Sequence, residues 1–344
     1  MTQKNNFRLG YRLVLAATAF CMVVVILGAF TRLVDAGLGC PDWPGCYGHL
    51  TWPRSDGAVE AAEARFPEFP VEHDKTWPEM VHRYVAGILG LIILGLTIMT
   101  WRWARQNPHQ SYPRNHSIAL LVLVIVQAAF GMWTVTLKLW PQIVTAHLLG
   151  GFATLSMLWL LAQRFARWRW SFSGIVYRQL QALKPLMWVA LVAVVLQIAL
   201  GGWLSANYAA LACTDFPRCH GEWWPAMDFV RGFNFAQGVG PNYLGGLLEG
   251  DARTAIHVSH RLGALVVTAV LALLCWRLWR IGQRPTQRLA LIIAGVLVVQ
   301  ILLGITNVMA SLPLAVAVAH NAVGAVLLLT LVTLAHRIYS ARSA

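Results

Sequence analysis

Long apolar segments separated by short polar stretches dominate the pattern of this chain. A helix that crosses a bilayer needs about 20 mostly apolar residues, and eight segments have that length. The first is longer than the apolar part of a secretory signal and no small-residue cleavage site follows it, so we interpret it as a spanning helix. The pattern predicts an all-α integral membrane protein whose eight transmembrane helices lie at about residues 12–33, 80–101, 117–137, 143–163, 185–206, 254–277, 288–309 and 314–338.

The distribution of charge gives these helices an orientation. Basic residues recur before the first span, after every second span and at the end of the chain, whereas all 14 acidic residues fall between residues 35 and 79 or between 215 and 251. The positive-inside rule therefore predicts that both termini are cytoplasmic and that the two long acidic loops lie outside. The net charge of +13 is thus explained by topology, and it implies no nucleic-acid partner.

The sequence repeats itself after a shift of 173 residues. The loop motif CPDWPGC at residues 40–46 returns as CTDFPRC at 213–219, and a Gln and a His in later spans recur at the same distance. We infer an internal duplication of four helices, with halves at residues 1–170 and 171–344. Because four is even, both halves have the same orientation, which predicts a pseudo-twofold axis along the membrane normal.

Two cysteine pairs lie in the repeated loop motifs, Cys40 with Cys46 and Cys213 with Cys219. Outside the cytoplasm, cysteines at this spacing most simply form short-range disulfides that clip each loop. A zinc site that uses all four thiolates and a redox-active dithiol are the alternatives.

Four of the 11 histidines occupy corresponding places in the two halves: His82, His147, His260 and His320. Each comes within the first two turns of an even-numbered span, so all four lie at a similar depth. Two parallel helices in each half can then offer one imidazole each, which is how helical bundles hold haem iron. A lone intramembrane histidine can instead have a structural role, and we expect the others to be solvated, namely His49, His73, His109, His116, His220 and His336.

An acidic residue distinguishes the first histidine motif from the second. The motif EMVHR at residues 79–83 places Glu79 one helical turn from His82, whereas HVSHR at 257–261 has His257 in that position. A carboxylate beside an iron ligand could stabilise a cationic intermediate or take a proton. The alternative is an acidic residue favoured at a helix N-terminus, and the role of His257 stays open.

Each motif ends in an arginine, Arg83 or Arg261. Since a guanidinium matches the geometry of a carboxylate, either residue could contact a haem propionate. The alternative is that both bond helix ends or loop carboxylates.

Taken together, these motifs resemble the haem A synthase family. The resemblance rests on GCPDWPGC at 39–46, EMVHR at 79–83, TAHL at 145–148, HVSHR at 257–261 and AHN at 319–321. It covers nearly the whole chain, and the combination is specific although each motif alone is weak.

The resemblance implies an oxidoreductase that converts the C8 methyl group of haem O into a formyl group, giving haem A for terminal oxidases. It implies that His260 and His320 bind a haem b cofactor in the C-terminal half. The N-terminal half would receive haem O near His82 and His147, with Glu79 taking part in the chemistry. It further implies a place in the cell inner membrane, a partnership with the farnesyltransferase that makes haem O, and an electron donor of unidentified kind.

Two other functions fit the same helices. A di-haem b-type cytochrome that only passes electrons would use the same histidines but would give Glu79 no covalent chemistry to support. A membrane carrier for haem would use the duplication for alternating access, yet it needs a polar path, and the ionisable residues cluster toward one face.

Overall fold

The computed structural model describes residues 3–344 and is almost entirely helical there. In chain order the elements are α1 (Gln3–Leu33), α2 (Asp56–Arg65), α3 (His73–Gln106), α4 (Arg114–Thr136), α5 (Pro141–Ala166), β1 (Ser171–Phe172), α6 (Gly174–Gln181), α7 (Lys184–Ala206), α8 (Phe229–Gly232), α9 (Gly250–Arg280), α10 (Arg284–Met309), α11 (Leu314–Ser340) and β2 (Arg342–Ser343).

Eight of these helices are long and apolar enough to cross a membrane, which confirms the predicted class. They are α1, α3, α4, α5, α7, α9, α10 and α11. Several extend beyond the predicted apolar segments; α3 begins at His73 rather than near residue 80. The extension has a simple cause, because backbone hydrogen bonds continue the helix into polar residues that hydropathy alone does not count.

The spanning helices pack as two groups of four. In the first group α1 contacts α3 and α5, and α4 contacts the same two helices; in the second, α7 and α10 each contact α9 and α11. Consequently α3 lies diagonally opposite α5, and α9 lies diagonally opposite α11. The groups meet through α1, α5, α7 and α11, where the indole of Trp159 donates to the hydroxyl of Thr333 at 2.8 Å.

The backbone carries the same 173-residue shift as the sequence. Left-handed residues occur in matched pairs at Asp35 and Tyr208, at Tyr47 and His220, and at 138–139 and 311–312. Each long loop also has one isolated antiparallel bridge at the matched place, Cys46 with His49 and Cys219 with Glu222. These matches support the duplication, while the twofold axis stays a prediction.

The two ends of the bundle differ in structure. At one end, which we name the loop end, lie the loops at residues 34–72 and 207–249, and the first of these loops contains the short helix α2. At the other end β1 pairs in parallel with β2, so the segment after α5 is joined to the C-terminus of the chain.

Apolar side chains face both inward and outward, as a membrane bundle requires. Leu158 and Leu331 are fully enclosed, whereas Leu196, Leu265 and Leu302 are more than half exposed on the outer surface of the bundle. Because lipid is as apolar as leucine, the inward contacts act through close packing rather than removal from water.

This contrast predicts how two leucine truncations differ in stability. Leu158→Ala should lower the free energy of unfolding by about 2 to 5 kcal/mol, because it leaves a cavity in a close-packed region. Leu196→Ala, at a position 59% exposed, should change it by no more than about 0.5 kcal/mol. The measurement is the thermal unfolding midpoint in one detergent, and equal midpoints would contradict the packing described here.

Candidate functional site

The first pair of intramembrane histidines lies on diagonally opposed helices. His82 is on α3 and His147 is on α5. Each ring faces a glycine on a neighbouring helix: a Cβ at Gly28 of α1 would lie 2.9 Å from Cε1 of His82, and one at Gly131 of α4 would lie 3.3 Å from Cε1 of His147. The missing side chains therefore make the room in which the imidazoles lie.

The second half repeats this arrangement. His260 on α9 and His320 on α11 are again on diagonal helices. A Cβ at Gly201 of α7 or at Gly304 of α10 would lie 3.2 Å from the Cε1 atom of the ring that it faces. All four predicted histidines therefore have the same surroundings, although their ring hydrogen bonds differ.

The imidazoles are only partly held by hydrogen bonds of the protein itself. Nδ1 of His82, His147 and His320 is fully enclosed and has no hydrogen-bond partner among the described residues. A carbonyl of Gln127 lies near the ring of His147 without reaching hydrogen-bond geometry. An enclosed polar atom left without a partner costs about 1 to 3 kcal/mol, so the contacts of the protein alone do not satisfy these rings.

The chemistry of the donor set fits a haem better than a small metal ion. Within each pair the two rings are carried by diagonally opposed helices of one four-helix group, and two axial imidazoles complete the coordination of a haem iron. In residues 3–344 no cluster of three or more His, Cys, Asp or Glu side chains could hold a metal ion. A structural zinc site needs four such ligands.

Both predicted disulfides are present, Cys40 with Cys46 and Cys213 with Cys219. The four thiolates are therefore not available as ligands, and the alternative zinc site does not occur in this structure. The remaining cysteines, Cys21 and Cys275, are free, as expected for residues inside helices.

The aspartate of each loop motif fixes the turn that follows it. The carboxylate of Asp42 accepts the N–H groups of Tyr47 and Gly48 at 2.6 and 2.8 Å. Asp215 does the same for His220 and Gly221 at 2.8 and 2.9 Å, and these donors hold the pKa of its carboxyl below the usual value. The repeated Cys-x-Asp spacing thus has a structural reason, because a carboxylate there satisfies two N–H groups in a left-handed turn.

Glu79 connects the first loop to the helix that carries His82. It is 4% exposed, it accepts the N–H of Cys40 at 2.9 Å, and it pairs with Arg83 one turn later. Arg83 in turn donates to the carbonyl oxygens of Asp42 and Gly45 at 3.0 and 2.6 Å. The buried carboxylate therefore lies between the loop and the first histidine.

His257 and Arg261 make the equivalent connection in the second half. Nδ1 of His257 lies 2.9 Å from the carbonyl oxygen of Ala209, in the buried start of the second loop. Arg261 donates to the carbonyl oxygens of Arg218 and Asp215, each at 2.8 Å. Both arginines thus hold loop backbone, and His257 is a loop anchor that donates where Glu79 accepts.

Two of the remaining histidines depart from the expectation that they are solvated. On α11 the Nε2 atom of His336 is fully enclosed and has no partner among the described residues. His116 is only 8% exposed, and its Nε2 lies 3.0 Å from the carbonyl oxygen of Met157. Its place at the start of α4 suggested solvent, but the helix begins against α5, so the ring is packed between the two helices.

Glutamines accompany the histidines, and their role beside the rings is visible only in the structure. Nε2 of Gln197 lies 3.2 Å from Nδ1 of His260, and Nε2 of Gln300 lies 3.2 Å from Nε2 of His320. Gln127 donates to the backbone carbonyl of His147 instead. Polar residues in otherwise apolar spans are the sequence feature that could have indicated them.

The fold and the site together define a multi-pass membrane protein with two paired-histidine sites in tandem four-helix groups. The family model described as cytochrome oxidase assembly protein, COX15-CtaA, matches residues 11–332. This chain belongs to that family, which confirms the resemblance stated above.

Curated relatives agree with this family over most of their length. A protein of Shewanella oneidensis named heme A synthase is 44% identical, with 92% of each chain covered. Proteins of the same name from Rhizorhabdus wittichii and Erythrobacter litoralis are 30% and 27% identical, covering 97% and 93% of this chain and 94% of each relative.

The glycines that face the imidazoles predict a sensitive set of positions. Gly304→Ala should displace the ring of His320, because the added Cβ would lie 3.2 Å from Cε1, and it should lower the haem bound per protein. Gly295→Ala is the matched control on the same helix, since nothing lies within 4 Å of its Cβ position. Haem is measured from the absorbance of the purified protein, and equal content in both variants would contradict the close fit of the His320 ring against Gly304.

Proposed function

We propose that this protein is a haem A synthase, which converts haem O into haem A for the terminal oxidase. The observation that carries the proposal is the asymmetry of two otherwise matched sites: a buried carboxylate, Glu79, lies one turn from His82, whereas His257 occupies that place beside His260. Membership of the family and the names of the curated relatives support it. The reaction is the oxidation of the C8 methyl group of haem O to a formyl group.

The two halves have different tasks in this proposal. Residues 171–344 hold a haem b cofactor between His260 and His320, and residues 1–170 receive the substrate haem O between His82 and His147. When bound, a haem b supplies an iron centre that accepts and passes on single electrons. The placement of each histidine pair on diagonally opposed helices and the glycines that face the rings support these assignments.

The residues of the chain contribute position and charge. Glu79 has one carboxylate oxygen fixed by the N–H of Cys40 and the other paired with Arg83, so it offers a negative charge close to the reacting haem. That charge can stabilise positive charge that develops there, or the carboxylate can take a proton from the substrate. Nε of Arg261 is enclosed and has no partner among the described residues, which makes it a donor available to a haem propionate.

The membrane setting completes the proposal. The excess of Lys and Arg at the end of the bundle opposite the loops supports cytoplasmic termini in a cell inner membrane. The substrate haem O would come from a farnesyltransferase in the same membrane, and an electron donor of unidentified kind would take part in the reaction.

Replacing Glu79 tests the catalytic part of this proposal. Glu79→Gln keeps an oxygen that can accept the N–H of Cys40, so the loop and the bound haem b should persist, while formation of haem A should fall by roughly 100-fold or more, as when a charge-stabilising group is lost. Glu72→Gln, at an exposed ion pair with Lys75, is the control and should be active. Products are measured by chromatography and mass analysis of extracted haem, and normal turnover of Glu79→Gln would remove this role.

Replacing one histidine in each half tests the division of tasks. His320→Ala should strongly lower the haem b content, because one axial ligand is lost, whereas His147→Ala should keep haem b and lose bound haem O and its products. The measurement is haem extracted from protein expressed beside a source of haem O. Haem b alone in the wild-type protein, with substrate and reductant supplied, would favour an electron-transfer cytochrome instead.

A further inference from the structure

The amide of Gln197, on α7, lies against the imidazole of His260, on α9. Its Nε2 atom is 3.2 Å from Nδ1 of His260 and donates to the carbonyl oxygen of the same residue at 2.9 Å. The amide has room because residue 263 is a glycine: a Cβ on Gly263 would lie 2.2 Å from Oε1 of Gln197. Gln197 and Gly263 therefore form a fitted pair beside the ring.

The corresponding place in the first half holds two valines. Val24 takes the position of Gln197 in the repeat, and Val85 takes the position of Gly263, three residues after the histidine. Both valines pack in the central apolar cluster. The C-terminal half thus has a glutamine and a glycine where the N-terminal half has two valines. The valines are apolar, and Nδ1 of His82 has no partner among the described residues.

The side-chain oxygen of Gln197 is a hydrogen-bond acceptor without a donor in residues 3–344. This Oε1 atom is fully enclosed and has no donor among the described residues. A turn of the amide about its last side-chain torsion exchanges oxygen and nitrogen. In that orientation Oε1 can accept Nδ1–H of His260, and the bond from Nε2 to the carbonyl oxygen of His260 is given up in exchange. An imidazole that binds iron through Nε2 carries its proton on Nδ1, and an acceptor for that proton fixes the ring and makes it a stronger ligand.

The other two glutamines do not distinguish the halves in this way. Gln127 and Gln300 occupy matched positions in the repeat, so each half has one. The glutamine beside the first histidine of the pair is present in the C-terminal half and replaced by Val24 in the N-terminal half. This difference coincides with the two tasks, since a cofactor has to stay bound while a substrate and its product have to leave.

We propose that Gln197 is a positioning residue that keeps haem b resident through the ring of His260, and that the valine pair beside His82 lets the N-terminal haem exchange. The inference rests on the proposed function, because it takes His260 as a haem ligand. It adds to that function a residue-level reason for why one haem is retained and the other is released.

The test gives the C-terminal half the two residues found at the matched positions of the N-terminal half, so that the volume of the removed side chain is replaced. The double variant Q197V/G263V reproduces the valine pair of the first half. We expect it to lose haem b to apomyoglobin roughly 10- to 100-fold faster than the wild-type protein. The midpoint potential of haem b should rise, because a ring without an acceptor at Nδ1 donates less electron density to the iron.

A second variant separates the hydrogen bond from packing. Q197E keeps an acceptor of the same length, so it should retain haem b and shift the midpoint potential in the opposite direction. Q127L, which removes the glutamine of the other half that contacts only backbone of His147, is the control and should leave the potential of haem b unchanged. In the converse variant V24Q/V85G, haem in the N-terminal half should dissociate more slowly.

The outcomes distinguish this inference from the proposed function. A wild-type protein that binds no haem, or that keeps haem b in the H260A variant, would overturn the haem assignment and the inference with it. Haem b that is lost in H260A, but whose dissociation rate and potential are the same in wild type, Q197V/G263V and Q197E, would overturn the role of Gln197 alone. Opposite shifts of potential in the two Gln197 variants would support it.

Discussion

Four imidazole rings have to be accommodated among apolar helices, and the rest of the structure depends on that constraint. A ring of this size fits between close-packed helices only where a neighbour lacks a side chain, and Gly28, Gly131, Gly201 and Gly304 provide that space. Because each pair lies on diagonal helices, the space between its rings is the centre of a four-helix group. The facing glycines and the diagonal placement of the histidines thus occur in both four-helix groups, and they provide space for two imidazole rings in each.

The loops are tied to the same helices by the residues next to the histidines. In the first half Glu79 accepts from loop backbone, and in the second half His257 donates to it. Both arginines hold loop carbonyl groups. Since polar groups near the membrane have to find partners, these contacts give the long loops a fixed place over the sites. Glu79 consequently has a structural role in addition to the chemical one that we propose.

Beside the histidines, the two halves differ at few positions, and these differences fit the separate tasks that we propose for the halves. The charge beside the histidine differs, because Glu79 lies one turn before His82 and His257 lies one turn before His260. The hydrogen bonding of the ring differs as well, since Gln197 and Gly263 lie beside His260 where Val24 and Val85 lie beside His82. In our proposal the two halves have different tasks, and these positions lie beside the residues that would bind the two haems. The N-terminal half has the buried carboxylate, Glu79, and its His82 has no hydrogen-bond partner at Nδ1 among the described residues. The C-terminal half lacks that carboxylate, and Nδ1 of its His260 contacts the amide of Gln197.

The amino-acid sequence is sufficient to predict the eight spans, the disulfide pairs and the recurrence of the four histidines, because hydropathy, spacing and residue type are local properties of the chain. It also places Glu79 on the face of His82, since that follows from helix periodicity. The folded structure is needed to find that Arg83 holds loop carbonyls, that His257 anchors Ala209, that His116 is buried and that Gln197 reaches His260. Each of these depends on how one helix is rotated against another or against a loop, and the packing of many side chains far apart in the chain sets that rotation.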